Sequence, residues 1–131
     1  ILAYDRAGKM PPGGMLKFYF GAMDLPFGLP PSAASLDAYL GMMGKCTLPW
    51  LVSSFGDDCV GCGLAEEAIK RGGHVQVGLE PYDGDRCPTN VELVEEVVAV
   101  AKSYDRPIAT PEQAAKILNL PTHPVPYALA G

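Results

Sequence analysis

The sequence lacks the features that mark membrane proteins and general nucleic-acid binders. No apolar stretch approaches the roughly 20 residues that a membrane-spanning helix needs. No run of lysine and arginine is present to neutralise phosphates, and the formal net charge is -5. We therefore expect neither a membrane nor a nucleic-acid partner.

Cysteine is scarce, and the chain is short. Four cysteines in 131 residues are too few for a disulfide-rich secreted scaffold, which favours a reduced, cytoplasmic protein. A chain of this length forms one domain at most and is short for a complete α/β barrel of about 250 residues. Because the first residue is Ile1 and not methionine, we expect the natural polypeptide to be longer.

What the sequence does contain is an alternation of strand-like and helix-like segments. The predicted strands cover residues 15–20, 49–55 and 75–79, and the predicted helices cover residues 32–43, 61–71, 91–104 and 111–118. Strands joined by helices imply a parallel sheet with right-handed crossovers. Because three strands can neither close a barrel nor cover their own edges, we predict part of a larger α/β structure.

The predicted elements come with predicted caps and buried faces. Asn90 and Thr110 are the predicted N-caps of the last two helices. The apolar stripe of the first helix comprises Leu36, Tyr39, Leu40 and Met43, and that of the third comprises Leu93, Val94, Val97, Val98 and Ala101. Residues 1–14 are predicted to be loop. We assign the domain to residues 1–120 and a proline-rich tail to residues 121–131.

Glu80 is the first candidate site residue, because it ends the third predicted strand. The carboxyl ends of parallel strands are where ligands and metals bind in α/β proteins. Alternation places Gln76, Gly78 and Glu80 on one face, and Gly78 would give a ligand room to approach. The alternative for Glu80 is an ion pair with an interior cation such as Lys17.

The first two predicted strands carry further candidates for substrate binding. Lys17 and Tyr19 alternate with Leu16, Phe18 and Phe20, so we expect the apolar set to meet the helices and Lys17 to face inward, toward an anionic substrate. Ser54 and Gly56 end the second strand. They either hold a ligand through hydroxyl and backbone groups or only make the turn.

Cysteine and histidine give weaker signals. Cys59 and Cys62 form a C-x-x-C at the predicted start of the second helix, where the dipole lowers a thiol pKa. The pair is redox-active, half of a zinc site, or simply packed at a helix start, and the lack of a second C-x-x-C favours packing. His74 begins its strand, which favours a structural role, and His123 lies in the proline-rich tail.

Three segments together resemble the C-terminal half of the β-keto acid cleavage enzymes (3-keto-5-aminohexanoate cleavage enzyme-like). They are residues 72–80 (GGHVQVGLE), 90–94 (NVELV) and 109–114 (ATPEQA). Each motif alone is weak, whereas their combination in this order is specific. The resemblance covers about residues 10–120.

The resemblance implies part of a TIM (β/α)8 barrel, in a homo-oligomer with a divalent metal, usually zinc. It implies retro-Claisen cleavage of a β-keto acid with acetyl-CoA, which gives acetoacetate and a new acyl-CoA. Glu80 would be one metal ligand, and two histidines would come from an N-terminal half-barrel or a partner chain. Zinc suits this chemistry as a Lewis acid that stabilises enolate charge, and three protein ligands leave a position open.

The chain departs from the family pattern at its catalytic positions. Gln76 replaces an arginine and Pro81 replaces an aspartate which, by resemblance, is the base that the arginine orients. Glutamine lacks the charged fork of arginine, and proline has no carboxylate. Asp57 aligns with a family arginine, and its charge would repel the phosphates of CoA. Asp83 and Asp85, in the loop after Glu80, are possible substitute bases.

These departures leave three hypotheses. The first is an enzyme of the family with altered substrate or chemistry. The second is a catalytically degenerate member that acts as a structural or regulatory subunit. The third and weakest is a thiol-redox module at Cys59 and Cys62.

Overall fold

The computed structural model describes residues 1–25 and 27–121. Its elements are α1 (Leu2–Arg6), β1 (Leu16–Gly21), α2 (Ala33–Met43), β2 (Trp50–Phe55), α3 (Leu64–Lys70), β3 (His74–Val75), α4 (Asn90–Ser103) and α5 (Pro111–Ile117). The strands form one sheet in the order β1-β2-β3, and both pairings are parallel. The fold is thus mixed α/β with a small parallel sheet, as predicted. His123 lies outside the described residues, as does all of the predicted tail except Pro121.

The core lies between one face of the sheet and the helices. Leu16, Phe18 and Phe20 are buried on β1, and the register places them beside Trp50, Val52 and Ser54 of β2. The Phe18 ring stacks on Tyr39 of α2 with the ring centroids 5.1 Å apart. Leu36 of α2 is fully buried, and Tyr39, Leu40 and Met43 pack against the core. The prediction that the apolar residues of β1 pack against the helices is therefore confirmed, as is the predicted apolar stripe of α2.

The opposite face of the sheet is only partly covered. Lys17 and Tyr19 of β1 lie beside Leu51 and Ser53 of β2 on this face. Tyr19 is exposed, Lys17 and Leu51 are half-buried, and Ser53 is buried. We call this surface, which also includes Phe55, the open face of the sheet.

The outer edge of β1 is occupied at its C-terminal end. Phe20 forms an isolated parallel bridge with Leu29. The Gly21 N–H donates a hydrogen bond to the Leu29 carbonyl oxygen at 3.1 Å. The segment around Leu29 therefore fills the position that another strand would take beside Gly21.

Strand β3 is shorter than the predicted 75–79. The Gln76 N–H still donates to the Val52 carbonyl oxygen at 2.9 Å, but the ladder ends there. The Leu79 N–H instead donates to the Asn90 side-chain oxygen at 3.1 Å, and Leu79 and Glu80 form a turn. The prediction of a strand up to Leu79 is wrong, because the hydrogen bonds to β2 end at Gln76 and the chain turns at Leu79 and Glu80.

The same contact explains why Asn90 is not the N-cap of α4. That role belongs to Thr89, whose hydroxyl accepts from the Glu92 N–H at 3.2 Å while the Glu92 carboxylate accepts from the Thr89 N–H. The prediction of Asn90 is wrong by one residue. Thr110 is the N-cap of α5, as predicted, and forms a capping box with Gln113.

The buried stripe of α4 is narrower than predicted. Leu93 and Ala101 are buried and Val97 and Val98 are half-buried, but Val94 is 52% exposed. Val94 lies about 100° around the helix from Leu93, because each residue advances the helix by that angle. Its inclusion in the buried stripe is wrong within this chain.

Two further predictions differ from the structure near helix starts. Residues 1–14 are not all loop, since α1 forms over Leu2–Arg6, although it buries no residue. Helix α3 begins at Leu64 and not at Gly61, because Gly63 at its N-cap has a positive φ of 80°. The Asp58 side chain shapes the preceding turn by accepting from the Gly61 N–H at 2.9 Å. No helix in the described part of the chain has the length and apolarity to span a membrane.

Candidate functional site

Backbone hydrogen bonds tie together the carboxyl-terminal ends of the strands. The Ala22 N–H, after β1, donates to the Phe55 carbonyl oxygen at 3.0 Å, and the Gly56 N–H, after β2, donates to the Pro81 carbonyl oxygen at 2.9 Å. Gly56 has a φ of +73°, which favours glycine. The segments that follow all three strands therefore meet at one edge of the sheet, the usual place for a ligand in parallel α/β proteins.

A small cavity at this edge brings several predicted site residues together. Its volume is about 10 Å³, and Ser54, Gln76, Gly78 and Pro81 are among its lining residues. This volume is close to the minimum that one water molecule needs. Ser54 is 2% exposed, and its hydroxyl has no hydrogen-bond partner among the described residues. Because Ser54 pairs with Phe20 in the register, its side chain faces the helix side of the sheet.

Lys17 reaches toward this edge along the open face. Its Cα pairs with Leu51, four positions before Phe55 in β2, which corresponds to roughly 13 Å of strand. Nevertheless, the Lys17 ammonium lies 5.9 Å from the centroid of the Phe55 ring and 4.4 Å from that of the Tyr19 ring. The side chain therefore carries its charge from the lower part of the sheet toward the carboxyl-terminal edge.

Three aromatic rings surround the end of that path. The centroid of Tyr19 lies 5.3 Å from Phe27 and 5.5 Å from Phe55, and Phe27 and Phe55 are 5.0 Å apart. Phe27 is 53% exposed and Tyr19 is 36% exposed. We call Tyr19, Phe27 and Phe55 the aromatic cluster. It presents an apolar surface beside a positive charge.

Glu80 lies in the turn that follows β3 and is exposed. The ion pairs of the described residues do not include one between Glu80 and Lys17. Within residues 1–25 and 27–121, no group of three or more His, Cys, Asp or Glu side chains is placed to hold a metal ion. The described part of the chain therefore holds no complete metal site, and the ligand role of Glu80 stays a prediction.

The two adjacent acidic residues after β2 differ in their surroundings. Asp58 accepts hydrogen bonds from the Val60 and Gly61 N–H groups and from the Arg86 guanidinium at 2.9 Å. Burial opposes the ionisation of Asp58, but these hydrogen bonds outweigh it and lower its pKa below the usual value. Asp57, which also lines the cavity, accepts from the Asp58 N–H at 2.7 Å. Asp58 thus organises the turn, and Arg86 balances its charge.

The two cysteines of the C-x-x-C motif do not have activated thiols. Burial raises the pKa of Cys59 to about 12, with the neighbouring Cys62 adding to the effect, and burial also raises the pKa of Cys62. Helix α3 starts only at Leu64, so neither thiol occupies its first turn. The predicted lowering of a thiol pKa is wrong. The packing interpretation agrees with the place of Cys59 in the core.

His74 lies at the other end of β3, away from the carboxyl-terminal edge. Its ring is half-buried, and its pKa is lowered by burial and by the positive charge of Arg106. The register places it beside Leu51. The structural role predicted for His74 is consistent with this position.

Sequence reasoning missed two residues of this region. Phe27 lies in a loop rich in glycine and proline, which gives no periodic signal of packing. Arg86 joins Asp58 to Glu96 of α4, with Arg86–Glu96 nitrogen–oxygen distances of 2.6 and 3.0 Å. A signal for Arg86 was present, because it is the one basic residue in an acidic loop after Glu80.

The protein is a parallel α/β protein, and the segments after its strands meet at the edge where such proteins usually bind ligands. The profile of the beta-keto acid cleavage enzyme family matches residues 2–120. The chain therefore belongs to the beta-keto acid cleavage enzyme family, and the resemblance found in the sequence is confirmed.

Three characterised proteins show similarity to parts of this chain. The chain is 46% identical over 61 residues to the 3-keto-5-aminohexanoate cleavage enzyme of Acetoanaerobium sticklandii, which covers 44% of this chain and 22% of the relative. It is 30% identical over 129 residues to the 3-oxoadipate:acetyl-CoA acetyltransferase of Cupriavidus necator. This alignment covers 92% of this chain and 43% of the relative. It is 32% identical over 101 residues to the 3-dehydrocarnitine:acetyl-CoA trimethylamine transferase of Rhizobium meliloti. This alignment covers 75% of this chain and 33% of the relative. In each case the chain spans less than half of the relative's length.

Proposed function

We propose that this chain forms part of an enzyme that cleaves a β-keto acid with acetyl-CoA and yields acetoacetate and a new acyl-CoA. The family match over residues 2–120 is the observation that carries this proposal. Two relatives support it, because their names specify acetyl-CoA together with 3-oxoadipate or 3-dehydrocarnitine. A cytoplasmic location and a homo-oligomeric state are part of the same proposal.

On this proposal the sheet is the C-terminal part of a (β/α)8 barrel that an N-terminal half-barrel or a partner chain completes. The edge of β3 supports this, since among the described residues β3 pairs with β2 alone. Beside β3 lies an apolar groove of about 410 Å³, whose lining includes Ile69, Val97 and Ile117. An unpaired strand next to an apolar groove is suited to receive a further strand and helix.

In the proposed site, Lys17, Ser54, Gly56 and Gly78 contribute to substrate binding. Lys17 supplies a cation for a carboxylate. A Cβ atom at Gly78 would make only an ordinary contact, 3.6 Å from the Asn90 side-chain oxygen, so this position is not crowded. Ser54 lines the cavity beneath the turn, and Gly56 fixes the position of Pro81 through its backbone.

Glu80 is the proposed metal ligand, with zinc as the metal. A catalytic zinc site needs three protein ligands, and the described residues supply no group of three. This part of the chain does not by itself fit a zinc ion. We therefore assign no reaction step to the metal, and the other ligands would come from the remainder of the barrel.

A second function, a catalytically degenerate structural or regulatory subunit, is favoured by one specific feature. Pro81 and Gln76 both line the cavity at the strand ends, and neither supplies a base or a cation there. Asp83 and Asp85 are exposed in the following loop and remain the candidates for a substitute base. The two functions differ in whether the complete protein turns over substrate.

The deciding experiment starts with the intact mass of the purified protein, both denatured and native. A longer polypeptide, or a second chain with two closely spaced histidines, is expected if the barrel is completed. The complete protein is then assayed for acetoacetate formation from a β-keto acid and acetyl-CoA, and its metal content is measured. The degenerate-subunit function would be supported by an absence of turnover, of metal and of CoA binding.

Substitution of the candidate metal ligand gives a matched test. Glu80→Ala is expected to remove bound metal and at least 100-fold of the activity while the circular dichroism spectrum stays unchanged. Glu95→Ala, at an exposed position of α4, is the control and should change neither quantity. Unchanged metal content in Glu80→Ala would refute the role of Glu80 as a ligand.

A further inference from the structure

We propose that Lys17 and the aromatic cluster bind the far end of the substrate and select β-keto acids whose far end is a second carboxylate. This inference rests on the proposed function and names the substrate class of that site. The juxtaposition that carries it is one ammonium group, outside the ion pairs of the described residues, that lies over the Tyr19 ring and near the Phe55 ring, with Phe27 packed on both rings.

Lys17 is the one lysine or arginine in the three strands. The other basic side chain there, His74, lies at the opposite end of β3, and burial and Arg106 lower its pKa, which disfavours its charged form. Arg71 and Arg86, near the sheet, are engaged with carboxylates. None of the ion pairs found in the described residues includes Lys17. The open face therefore carries a single positive charge without a carboxylate to balance it.

The position of that charge is fixed by the rings. The ammonium lies 4.4 Å from the centroid of the Tyr19 ring, a cation–π distance, and the lysine methylenes run along the sheet. A cation held in this way keeps donor capacity on the side that points away from the ring. An incoming carboxylate meets a charge that is already positioned.

The aromatic rings also favour a particular kind of group next to the substrate carboxylate. Tyr19, beside the ammonium group, and Phe27, packed against Tyr19, both expose apolar surface. A short methylene chain that ends in a carboxylate has matching chemistry, because it places CH₂ groups on the rings and charge on Lys17. An ammonium group at the same place would face Lys17 and be repelled.

A polyphosphate group fits this position less well than a single carboxylate. Lys17 provides one positive charge, whereas Asp57 and Glu80 follow strands β2 and β3 at the same edge of the sheet. Several phosphate charges would therefore meet carboxylates as well as the single cation. The charges at this edge therefore favour binding of the substrate carboxylate at Lys17 over binding of the CoA phosphates.

The test uses the complete protein and three β-keto acids of equal length that end in a carboxylate, a methyl group or an ammonium group. We expect the carboxylate-terminated acid to have a kcat/KM at least tenfold above the other two. Lys17→Met should abolish this preference, Lys17→Glu should reverse it in favour of the ammonium-terminated acid, and Lys17→Arg should retain most of it. Lys45→Glu, which makes the same charge change at an exposed position after α2, should keep the wild-type order.

The outcomes separate this inference from the proposed function. Turnover of all three acids with an unchanged order in Lys17→Met and Lys17→Glu would overturn the inference and leave the function standing. If no acid is turned over, the proposed function fails, and binding of adipate, a six-carbon dicarboxylate, is then measured by titration calorimetry. Binding that is lost in Lys17→Met and kept in Lys45→Glu would support the carboxylate site, whereas equal binding by both variants would reject it.

Discussion

The backbone N–H of Gly56 donates a hydrogen bond to the carbonyl oxygen of Pro81 at 2.9 Å, which joins the end of β2 to the residue that follows Glu80. The position of the Glu80 turn thus depends on a glycine in another part of the chain. Because Gly56 has a φ of +73°, an L side chain is strained there. Its Cβ would also lie 3.1 Å from the Leu25 side chain.

Gly56→Ala is therefore expected to lower the free energy of unfolding by about 1–2 kcal/mol, the usual cost of left-handed backbone in a residue with a Cβ. Urea unfolding monitored by circular dichroism measures this change. Gly41→Ala, in the exposed interior of α2 with no atom near the added Cβ, is the control. It should stabilise the protein by roughly 0.5–1 kcal/mol because alanine is the better helix former. Equal effects at the two sites would contradict the role given to Gly56.

Pro81, which stands where the family resemblance implies a catalytic aspartate, leads to a prediction of gained activity. The double substitution Gln76→Arg and Pro81→Asp is expected to raise the rate of β-keto acid cleavage by at least tenfold, because a positioned general base contributes roughly 10²–10⁴ in rate. Acetoacetate release by the complete protein is the measurement. The control is Gln76→Arg with Pro81→Asn, which has a similar shape but no carboxylate. A gain of the same size in the control would show that the effect is not general-base catalysis.

Arg86 gives a prediction about stability and pH. Asp58 has a lowered pKa in the folded protein, so its contribution is present above its unfolded pKa and is lost as the pH falls through the folded value. Arg86→Met removes one cause of the lowering. We expect stability at pH 7 to fall slightly, because the ion pair that Arg86 makes with Asp58 is partly exposed and screened by solvent. The stability lost between pH 6 and pH 3 should become smaller.

Urea midpoints at several pH values test this prediction. Arg6→Met, on the exposed side of α1, is the matched control. Its pH dependence should follow that of the wild type. An Arg86→Met protein with the full wild-type dependence would show that the Arg86–Asp58 contact does not set the ionisation of Asp58.

The cysteines give a prediction about chemical reactivity. The thiolate is the reactive form, and burial raises the pKa of Cys59 to about 12. Iodoacetamide at pH 8 is therefore expected to modify the exposed Cys87 at least 100-fold faster than Cys59. Peptide mass spectrometry gives both rates, and 6 M guanidinium chloride should make them similar. Fast modification of Cys59 in the folded protein would restore the thiol-redox hypothesis.

The parts of the fold that follow from local alternation were predictable from the sequence. Leu16, Phe18 and Phe20 face the helices because period-two alternation alone assigns a strand face. Thr110 was identified as a cap because Pro111 follows it at the first helical position and Glu112 lies in the first turn. In both cases the decisive residues are neighbours in the chain.

Features that depend on distant residues were not predictable in this way. The turn that follows β3 is held by Asn90, eleven residues after Leu79, whose side chain accepts from the Leu79 N–H. Alternation gave the face on which Lys17 lies, but its direction along the sheet depends on Phe55 in the next strand. The candidate site residues came from strand ends and alternation, and the metal-ligand role of Glu80 came from the family resemblance, while their burial and contacts required the folded chain.

The bridge between Phe20 and Leu29 makes the two sides of the sheet unequal. If copies of the chain were to stack by adding β3 of one to β1 of the next, the incoming strand would find the Gly21 donor already used. Such stacking is the geometry by which exposed strands grow into fibres. The Leu29 segment would therefore hinder such stacking at the Phe20–Gly21 end of β1, whereas among the described residues the outer edge of β3 has no strand beside it.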